Sequence, residues 1–537
     1  MSAKKAKKKK ISLCMIVKDE ERYLPACLES VRTFVHEIII VDTGSKDRTV
    51  EIAKKYGAKV FYTPWEDDFA KARNVSLEKA TGDWILHLDA DEQFEQEDKA
   101  KILSLVRSGT AEGYLFQVIN YNFESTGDVC VFPSLRLWKN KPEYRFVGAL
   151  HEQISLSIIE HTTADSLSVT PIRIHHYGYA EAVMKEKRKT ERNIKIAELE
   201  VKKHPENGFY HYNLGTEYLR LHRYQEAIQQ FQLAWEHSRG VQEVWVASLF
   251  KNYTSTLLMI RKFPEALHLL NKGIQLFPDF ADLFYLKAVC HFELGQYHQA
   301  AELFQQCLMV GASPTPQYPS NKALSNEKAH YALALAYEKL NQVDKAIHHF
   351  QQAYLCNRNL KESLYQLFPL LCRKDSMEQA RTRLHDIVQP AQVEEYTLLA
   401  QIFMTWHQYS AARHCLLEAE RIEPNNQQIF YLAGICSLRE GNYAQAVYWF
   451  KRLDKMSPNY DVAQLFLYYC YAAVGQQEAA LHLLSSIEKN EPFLRALAKV
   501  YLEEAALLLQ EGLFYHPGSS IINPKQIHQI REVMSLA

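Results

Sequence analysis

The chain has 537 residues, too many for a single hydrophobic core, so we expect two to four domains. Its net charge of −1 does not favour a nucleic-acid partner. No apolar run reaches the roughly 18 residues of a membrane span. The ten cysteines form no Cys-x-x-Cys pair, which favours reduced thiols in a cytoplasmic protein over a disulfide framework or a zinc site.

The lysine-rich start, residues 1–10, is the main basic block of the chain. Lysines that are not followed by an apolar core do not make a secretory signal. We expect a solvated, disordered arm here, and the alternative is contact with an anionic surface such as a membrane or a polymer.

Residues 11–180 alternate short apolar runs with segments of helical spacing. This alternation predicts an α/β domain in which a parallel sheet carries helices on both faces. The predicted strands are Ile11–Val17, Glu37–Val41, Val60–Tyr62 and Trp84–Leu88, and the predicted helices are Glu20–Phe34, Asp47–Tyr56 and Phe69–Ala80. Three later strands, at Tyr114–Tyr121, Ser134–Trp138 and Ile172–His176, are predicted within longer loops.

Two carboxylates, Asp89 and Asp91, follow the predicted strand Trp84–Leu88. In α/β domains, ligands bind at the C-terminal ends of strands. Carboxylates one residue apart can hold a hard divalent cation, and such a cation commonly bridges a diphosphate. The plain alternative is a turn after a strand.

From about Gly208 the chain becomes a repeat. Alanines mark the same point in successive units, most often 34 residues apart, and this period with small residues at fixed positions is the tetratricopeptide signature. The marker alanines are Ala227, Ala266, Ala300, Ala346, Ala380, Ala412, Ala446 and Ala480. We expect an all-α solenoid of about eight units over residues 208–489, with an insertion at Gly311–Asn326. A linker helix (181–207) should precede the solenoid, and capping helices (490–537) should follow it.

Several motifs of the first part together resemble glycosyltransferase family 2, the inverting enzymes with a GT-A (Rossmann-like) fold. These motifs are Ile11–Glu21, Ile38–Asp47, Phe69–Asn74, the Asp-Ala-Asp of residues 89–91, Phe146–Glu152 and Ile174–Tyr179. With the repeats that follow, the set is similar to the bacteriocin S-glycosyltransferases, which glycosylate a cysteine or serine of a ribosomal peptide.

The resemblance implies roles for residues near the predicted strand ends. Asp42 would accept a hydrogen bond from the base of a uridine nucleotide, and Val17, Asp19 and Glu20 would line the same pocket. Ser45 would also belong to it, although its hydroxyl is as well suited to capping the next helix. Arg73 would pair with a phosphate or an aspartate, and the alternative is a surface arginine.

The later motifs would supply the chemistry. An inverting transfer needs a base for the proton of the acceptor, and Glu152 is the candidate. His176, favoured over its neighbour His175, would join Asp91 and Asp89 around Mn²⁺ or Mg²⁺. Asp89 would hold either the ribose of the nucleotide or the metal through a water molecule. The basic helix Lys185–Arg192 is most simply a solvated face, although Lys187 or Arg192 would be able to reach the diphosphate.

The sequence therefore predicts a metal-dependent, inverting transferase of the α/β plus all-α class. The donor would be UDP-glucose or UDP-N-acetylglucosamine, and the acceptor a cysteine or serine of a peptide or protein presented by the repeats. One alternative acceptor is an envelope polysaccharide or a lipid-linked saccharide, and an alternative of another class is a non-catalytic tetratricopeptide scaffold. A homodimer is a further possibility, whereas a nucleic-acid partner and a transmembrane segment are not expected.

Overall fold

The computed structural model describes residues 9–121, 129–177, 182–238, 244–311 and 318–487. Most of the lysine-rich arm and the predicted capping helices lie outside the described residues. The chain divides into two compact units, Met1–Ser363 and Leu364–Ala537. Among the described helices, none combines the length and the apolar character that a membrane crossing requires.

The first unit begins with four parallel strands in the spatial order β3-β2-β1-β4. They are connected by helices, as the alternating pattern predicts. The strands are β1 (Ile11–Val17), β2 (Glu37–Asp42), β3 (Lys59–Tyr62) and β4 (Trp84–His87), and the helices are α1 (Leu24–Val31), α2 (Thr49–Lys55) and α3 (Phe69–Lys79).

The second half of the sheet departs from the predicted parallel arrangement. After β4 the order continues β7-β6-β8-β5, and only the β6–β8 pair is parallel there. The sheet is mixed because β7 runs antiparallel to both of its neighbours, β4 and β6. The elements are β5 (Glu92–Phe94), α4 (Lys99–Ser108), β6 (Gly113–Tyr121), β7 (Val129–Lys139), α5 (Ser155–Glu160) and β8 (Leu167–His176).

Hydrophobic side chains cover both faces of the sheet. On β1, Leu13 and Met15 pack on one face with Leu28 of α1, whereas Cys14 packs on the other with Leu77 of α3. This alternation follows from the two-residue period of a strand. Packing on both faces fixes the positions of the strand ends relative to each other.

The repeat region consists of paired helices, preceded by α6 (Ala182–Lys203). Each marker alanine lies on the second helix of a pair, and all eight are between 0% and 4% exposed. Close approach explains the small residues, since a Cβ on Gly215 would lie 2.7 Å from the ring of Phe231. The pairs are α7 (Gly208–Arg220) with α8 (Tyr224–Glu236), α9 (Val244–Met259) with α10 (Phe263–Leu276), α11 (Ala281–Glu293) with α12 (Tyr297–Gly311), α13 (Glu327–Lys339) with α14 (Val343–Cys356), α15 (Glu362–Lys374) with α16 (Met377–Val388), α17 (Val393–Thr405) with α18 (Tyr409–Ile422), α19 (Gln427–Arg439) with α20 (Tyr443–Phe450), and α21 (Tyr460–Ala473) with α22 (Gln477–Ile487).

The insertion between the third and fourth pairs contains a short strand, β9 (Ser320–Asn321). It pairs antiparallel with β7 at Cys130 and Val131, so the repeat region adds a strand to the sheet. A hydrogen bond of 2.8 Å from Ser320 Oγ to the buried Asp282 of α11 fixes the insertion to the repeats.

Candidate active site

The C-terminal ends of β2, β1 and β4 meet along one edge of the sheet. The register pairs Val17 with Asp42 and Cys14 with His87, so the segments after these strands lie side by side. This edge is where parallel sheets bind their ligands. The predicted residues of the first two strands and the Asp-Ala-Asp segment therefore share one region.

Two loops at this edge are tied together by hydrogen bonds. The Asp42 carboxylate, which is 3% exposed, accepts from the backbone N–H of Gly44 at 3.1 Å and of Ser45 at 3.2 Å. The Asp19 N–H donates to Ser45 Oγ at 3.0 Å, and Asp19 Oδ1 accepts from the N–H of Lys46 at 2.7 Å. These contacts tie the loop after β1 to the loop after β2.

The helix expected to start at Asp47 under a Ser45 cap begins instead at Thr49, after Arg48. Ser45 is therefore not a helix cap, because its hydroxyl is used between the two loops. Glu20 anchors the same region through its N–H, which donates to Thr49 Oγ1 at 2.7 Å. Val17 is 3% exposed and belongs to the hydrophobic core beneath the loops. That these residues contact a nucleotide remains a prediction.

Arg73 is the centre of the polar network at the end of β4. Its side chain is buried, so the alternative of a surface arginine does not hold. Nη2 donates to Asp89 Oδ1 at 2.9 Å, while Nε contacts Glu152 Oε1 and Nη1 contacts His87 Nε2. The arginine thus joins two carboxylates that are 63 positions apart in the numbering.

Burial and the neighbouring charges shift the pKa values of Asp89 and His87 in this network. Burial raises the pKa of Asp89, but the charge of Arg73 outweighs it and holds the pKa well below the usual range, so Asp89 is ionised. Burial and the nearby charges of Arg73 and Arg136 hold the pKa of His87 well below its usual range, so the ring is neutral.

Glu92 and Arg136 form a supporting layer that was not identified from the sequence. Arg136 Nη2 donates to Glu92 Oε1 at 2.6 Å, and Arg136 Nη1 lies 2.8 Å from His87 Nδ1. Glu92 Oε2 accepts from the N–H of Asp89 at 2.9 Å, and burial raises the pKa of this carboxyl to about 7. The signal missed in the sequence was a buried arginine on β7, far along the chain from its partners.

Asp91 and His176 lie next to each other because β5 pairs with β8. Glu92 is opposite His176 in this register, and Asp91 Oδ2 is 3.2 Å from His176 Nε2. The other ring nitrogen, Nδ1, contacts Asn120 Oδ1. Burial lowers the pKa of His176, but the hydrogen bond and charge of Asp91 outweigh it, so the pKa is raised.

His175 takes a different position from its neighbour. It contacts Tyr121 Oη at 2.8 Å and Glu95 Oε2 at 3.1 Å, away from Asp91. The Gly-Tyr that follows in the motif, residues 178 and 179, lies outside the described residues.

The expected set of three metal ligands is not assembled. Within the described residues, no group of three or more His, Cys, Asp or Glu side chains is arranged to hold a metal ion. Asp91 and His176 are together, but Asp89, predicted as the third ligand, faces Arg73 instead. The difference arises because the buried guanidinium provides a stronger partner for that carboxylate.

A cavity of about 400 Å³ opens beside this network. Its lining includes Arg73, His87, Asp89, Arg136, Glu152, Ser134, Ser155 and Asn193 of α6. Arg192, considered as a diphosphate contact, lies instead over the rings of Trp65 and Phe69, at 5.8 and 5.3 Å from their centroids. The side chain of Lys187 lies outside the described residues.

Comparison with known proteins agrees with this arrangement. Residues 12–146 match the family Glycosyl transferase family 2, and residues 256–319, 327–360 and 397–461 match the Tetratricopeptide repeat. A TPR repeat-containing protein of Synechococcus elongatus is 39% identical over 38% of this chain and 51% of its own length. The SPbeta prophage-derived glycosyltransferase SunS of Bacillus subtilis is 31% identical over 41% of this chain and 51% of its own length.

A third relative is an uncharacterized glycosyltransferase of Rickettsia typhi, 36% identical over 22% of this chain and 41% of its own length. The chain spans about half the length of the first two curated relatives that it matches. Together with the sheet and the helix pairs, these matches show a glycosyltransferase family 2 domain at the N-terminal end of the chain, followed by tetratricopeptide repeats.

Proposed function

We propose that this chain is an inverting glycosyltransferase that moves a sugar from a UDP-sugar to an acceptor. The observation that carries the proposal is the shared ion pair of Arg73 with Asp89 and Glu152 beside a cavity, within a glycosyltransferase family 2 domain. Ionised groups are costly to bury even when they are paired, and buried ionisable groups with perturbed pKa values concentrate at functional sites.

Glu152 is the proposed base. Its side chain is 11% exposed, one oxygen is fixed by Arg73, and the residue lines the cavity. The second oxygen remains available to take the proton of an acceptor as the sugar is attacked from the face opposite the diphosphate. Through its two ion pairs, Arg73 would fix the positions of Glu152 and Asp89 relative to each other during the transfer.

Asp91 and His176 fit a divalent cation of the kind that family 2 enzymes use. A carboxylate oxygen and an imidazole nitrogen are suitable ligands for Mn²⁺ or Mg²⁺, and Asp91 Oδ2 and His176 Nε2, which are 3.2 Å apart, would hold the ion. Asn120 Oδ1 orients the imidazole through Nδ1, as outer partners of metal-bound histidines do. When bound, the cation would neutralise charge on the departing diphosphate.

The remaining roles concern the two substrates. Asp19, Asp42 and Ser45 would hold the uridine end of UDP-glucose or UDP-N-acetylglucosamine at the edge of the sheet. The repeat array would present a peptide or protein whose cysteine or serine receives the sugar, because tetratricopeptide arrays offer extended surfaces for partners.

The test is release of UDP from UDP-glucose and UDP-N-acetylglucosamine by the purified chain with Mn²⁺, with and without chelator. We expect turnover that requires the metal and is lost in Asp91→Asn. Glu152→Gln should bind donor normally but transfer to a hydroxyl about 10²–10⁴-fold more slowly, the usual contribution of a base. A thiol acceptor, already partly ionised at neutral pH, should be affected less.

Glu160→Gln is the matched control, because Glu160 is an exposed residue that ends α5 in the same region. Absence of turnover with both donors would contradict the proposed donor. A Glu152→Gln variant as fast as wild type on a hydroxyl would exclude Glu152 as the base.

A further inference from the structure

The segment that carries Glu152 has an unusual backbone. Residues 147–153, here the Glu152 loop, are closed by reciprocal hydrogen bonds between Val147 and Gln153 at 3.1 and 2.9 Å. Gly148 has φ of 96° and His151 has φ of 54°, a left-handed conformation that non-glycine residues rarely adopt. Such a conformation persists only where the surroundings hold it.

The surroundings of the Glu152 loop are α6 and the first repeat helix, α7. Glu200 of α6 accepts a hydrogen bond from the N–H of Ala149 at 3.3 Å. Leu150 is 5% exposed and packs in one cluster with Ile194 of α6 and Leu214 of α7. The loop therefore rests on helices that the sequence assigns to the linker and to the repeats.

Glu217 of α7 contacts the residue with the left-handed backbone. Its Oε1 is 3.4 Å from His151 Nε2 and also accepts from Arg220 Nη1 at 2.7 Å. Its Oε2 is buried and has no hydrogen-bond partner among the described residues. A carboxylate at 0% exposure with one unpaired oxygen is costly to the fold.

The other repeats show that repeat packing does not need this charge. Glu217 lies ten positions before the marker alanine of its unit, and the same position is 0% or 1% exposed and uncharged in every other unit. Its occupants there are Thr256, Cys290, Ala336, Leu370, Ile402, Cys436 and Cys470. Among the eight repeats, the first has a glutamate at this position, and it is the repeat that contacts the Glu152 loop.

We infer that the first tetratricopeptide helix is part of the catalytic unit, and that Glu217 is a positioning residue that holds His151 and thereby aims Glu152. The inference rests on the proposed function for what Glu152 does, but the contact itself does not depend on it. Besides Arg220 of its own helix, the buried carboxylate has a partner in the N-terminal domain, His151, which the packing of the repeats does not require.

The deciding variant is Glu217→Leu in the full chain, because leucine already fills the same position at Leu370. The melting temperature should change little, because Arg220 and His151, the partners that lose Glu217, are 47% and 36% exposed and can be hydrated. The kcat of sugar transfer should fall about 10- to 100-fold, as expected when a catalytic group is displaced by about 1 Å. The KM for donor should not change, because Asp19 and Asp42 are fixed by hydrogen bonds within the loops after β1 and β2.

Hydrogen exchange of the Glu152 loop supplies a readout that needs no activity. The N–H groups of Val147 and Gln153 should exchange faster in Glu217→Leu than in wild type. Glu217→Gln, which keeps an oxygen facing His151, should restore much of both the protection and the rate. Cys290→Ala, a change at the equivalent position of the third repeat, should leave both unchanged.

Unchanged loop exchange together with wild-type kcat in Glu217→Leu would overturn the inference. The inference would also be overturned if every variant, including Cys290→Ala, lost kcat in proportion to a lowered melting temperature. Glu217 would then have a purely structural role. Faster loop exchange in a protein that transfers no sugar would leave the positioning role intact and overturn the proposed function instead.

Discussion

Arg73 gathers three side chains that come from different parts of the chain. It contacts His87 and Asp89 at the end of β4, and Glu152 in a loop that rests on helices further along the chain. The planar guanidinium presents its donors in a rigid arrangement, whereas a lysine offers fewer donors at the end of a flexible stem. The geometry of the site therefore depends on this one residue.

Replacing Arg73 by methionine should destabilise the protein by about 3–5 kcal/mol, because it leaves Glu152 and Asp89 without their buried partner. Urea unfolding measures this. Arg421→Met is the control, since Arg421 is 75% exposed and its pair with Glu418 is worth at most about 1 kcal/mol. Equal effects of the two changes would mean that the network does not stabilise the fold.

The sequence located the residues that follow apolar strands but not their partners. Asp42 and Asp89 were identifiable because hydrophobic runs deliver them to strand ends. Arg136 and Glu92 were not, because their pairing depends on which strands become neighbours in the mixed sheet. A charged residue at a repeat position that is otherwise uncharged, Glu217, was a visible signal once the repeats had been aligned.

At the level of elements, the short strand β5 shows where pattern reasoning fails. Its three residues, Glu92 to Phe94, have neither the length nor the alternation that identify a strand. Pairing with β8 creates it, and this pairing brings Asp91 to His176. The repeat helices were predictable for the opposite reason, since eight successive units show the same pattern of small residues.

The amino ends of the parallel strands are joined by Glu37, at the start of β2. Its carboxylate accepts from Ser12 Oγ of β1 at 2.6 Å, from Lys59 Nζ of β3 at 2.8 Å, and from the N–H of Thr81, before β4, at 2.6 Å. Burial raises the pKa of Glu37, but these hydrogen bonds outweigh it and lower the pKa to about 2.

Because the folded-state pKa lies below the usual 4.5, ionised Glu37 stabilises the fold above about pH 4.5. This contribution, at most about 3 kcal/mol, is lost as the pH falls towards 2. Glu37→Gln should therefore be less stable than wild type at pH 7 and nearly equal to it near pH 2 in urea unfolding. The control is Glu29→Gln, since that side chain is 52% exposed, and a constant difference across the pH range would contradict the assignment.

For the whole molecule, the pattern alone suggests that everything from Gly208 onward only presents the acceptor, so that its removal would spare donor turnover. The contacts of α7 with the Glu152 loop change that expectation. The first compact unit instead extends to Ser363 and includes the first four helix pairs.

A chain that ends at Lys361 should therefore keep UDP release from the donor, whereas a chain that ends at Asn207 should lose it. The assay is the same UDP release with Mn²⁺, and circular dichroism checks that each shortened chain is folded. A folded chain of 207 residues with full donor turnover would show that α7 is dispensable for the chemistry.

The strand β9 has a consequence for the order in which the protein is made. It covers β7 at Cys130 and Val131, yet it is translated only after three helix pairs have been completed. Pairings between distant parts of a chain form slowly, and domains usually fold as they leave the ribosome. We therefore expect a nascent chain to lack the complete sheet until Asn321 has emerged, so that the N-terminal domain and its first repeats reach the native state in one late step.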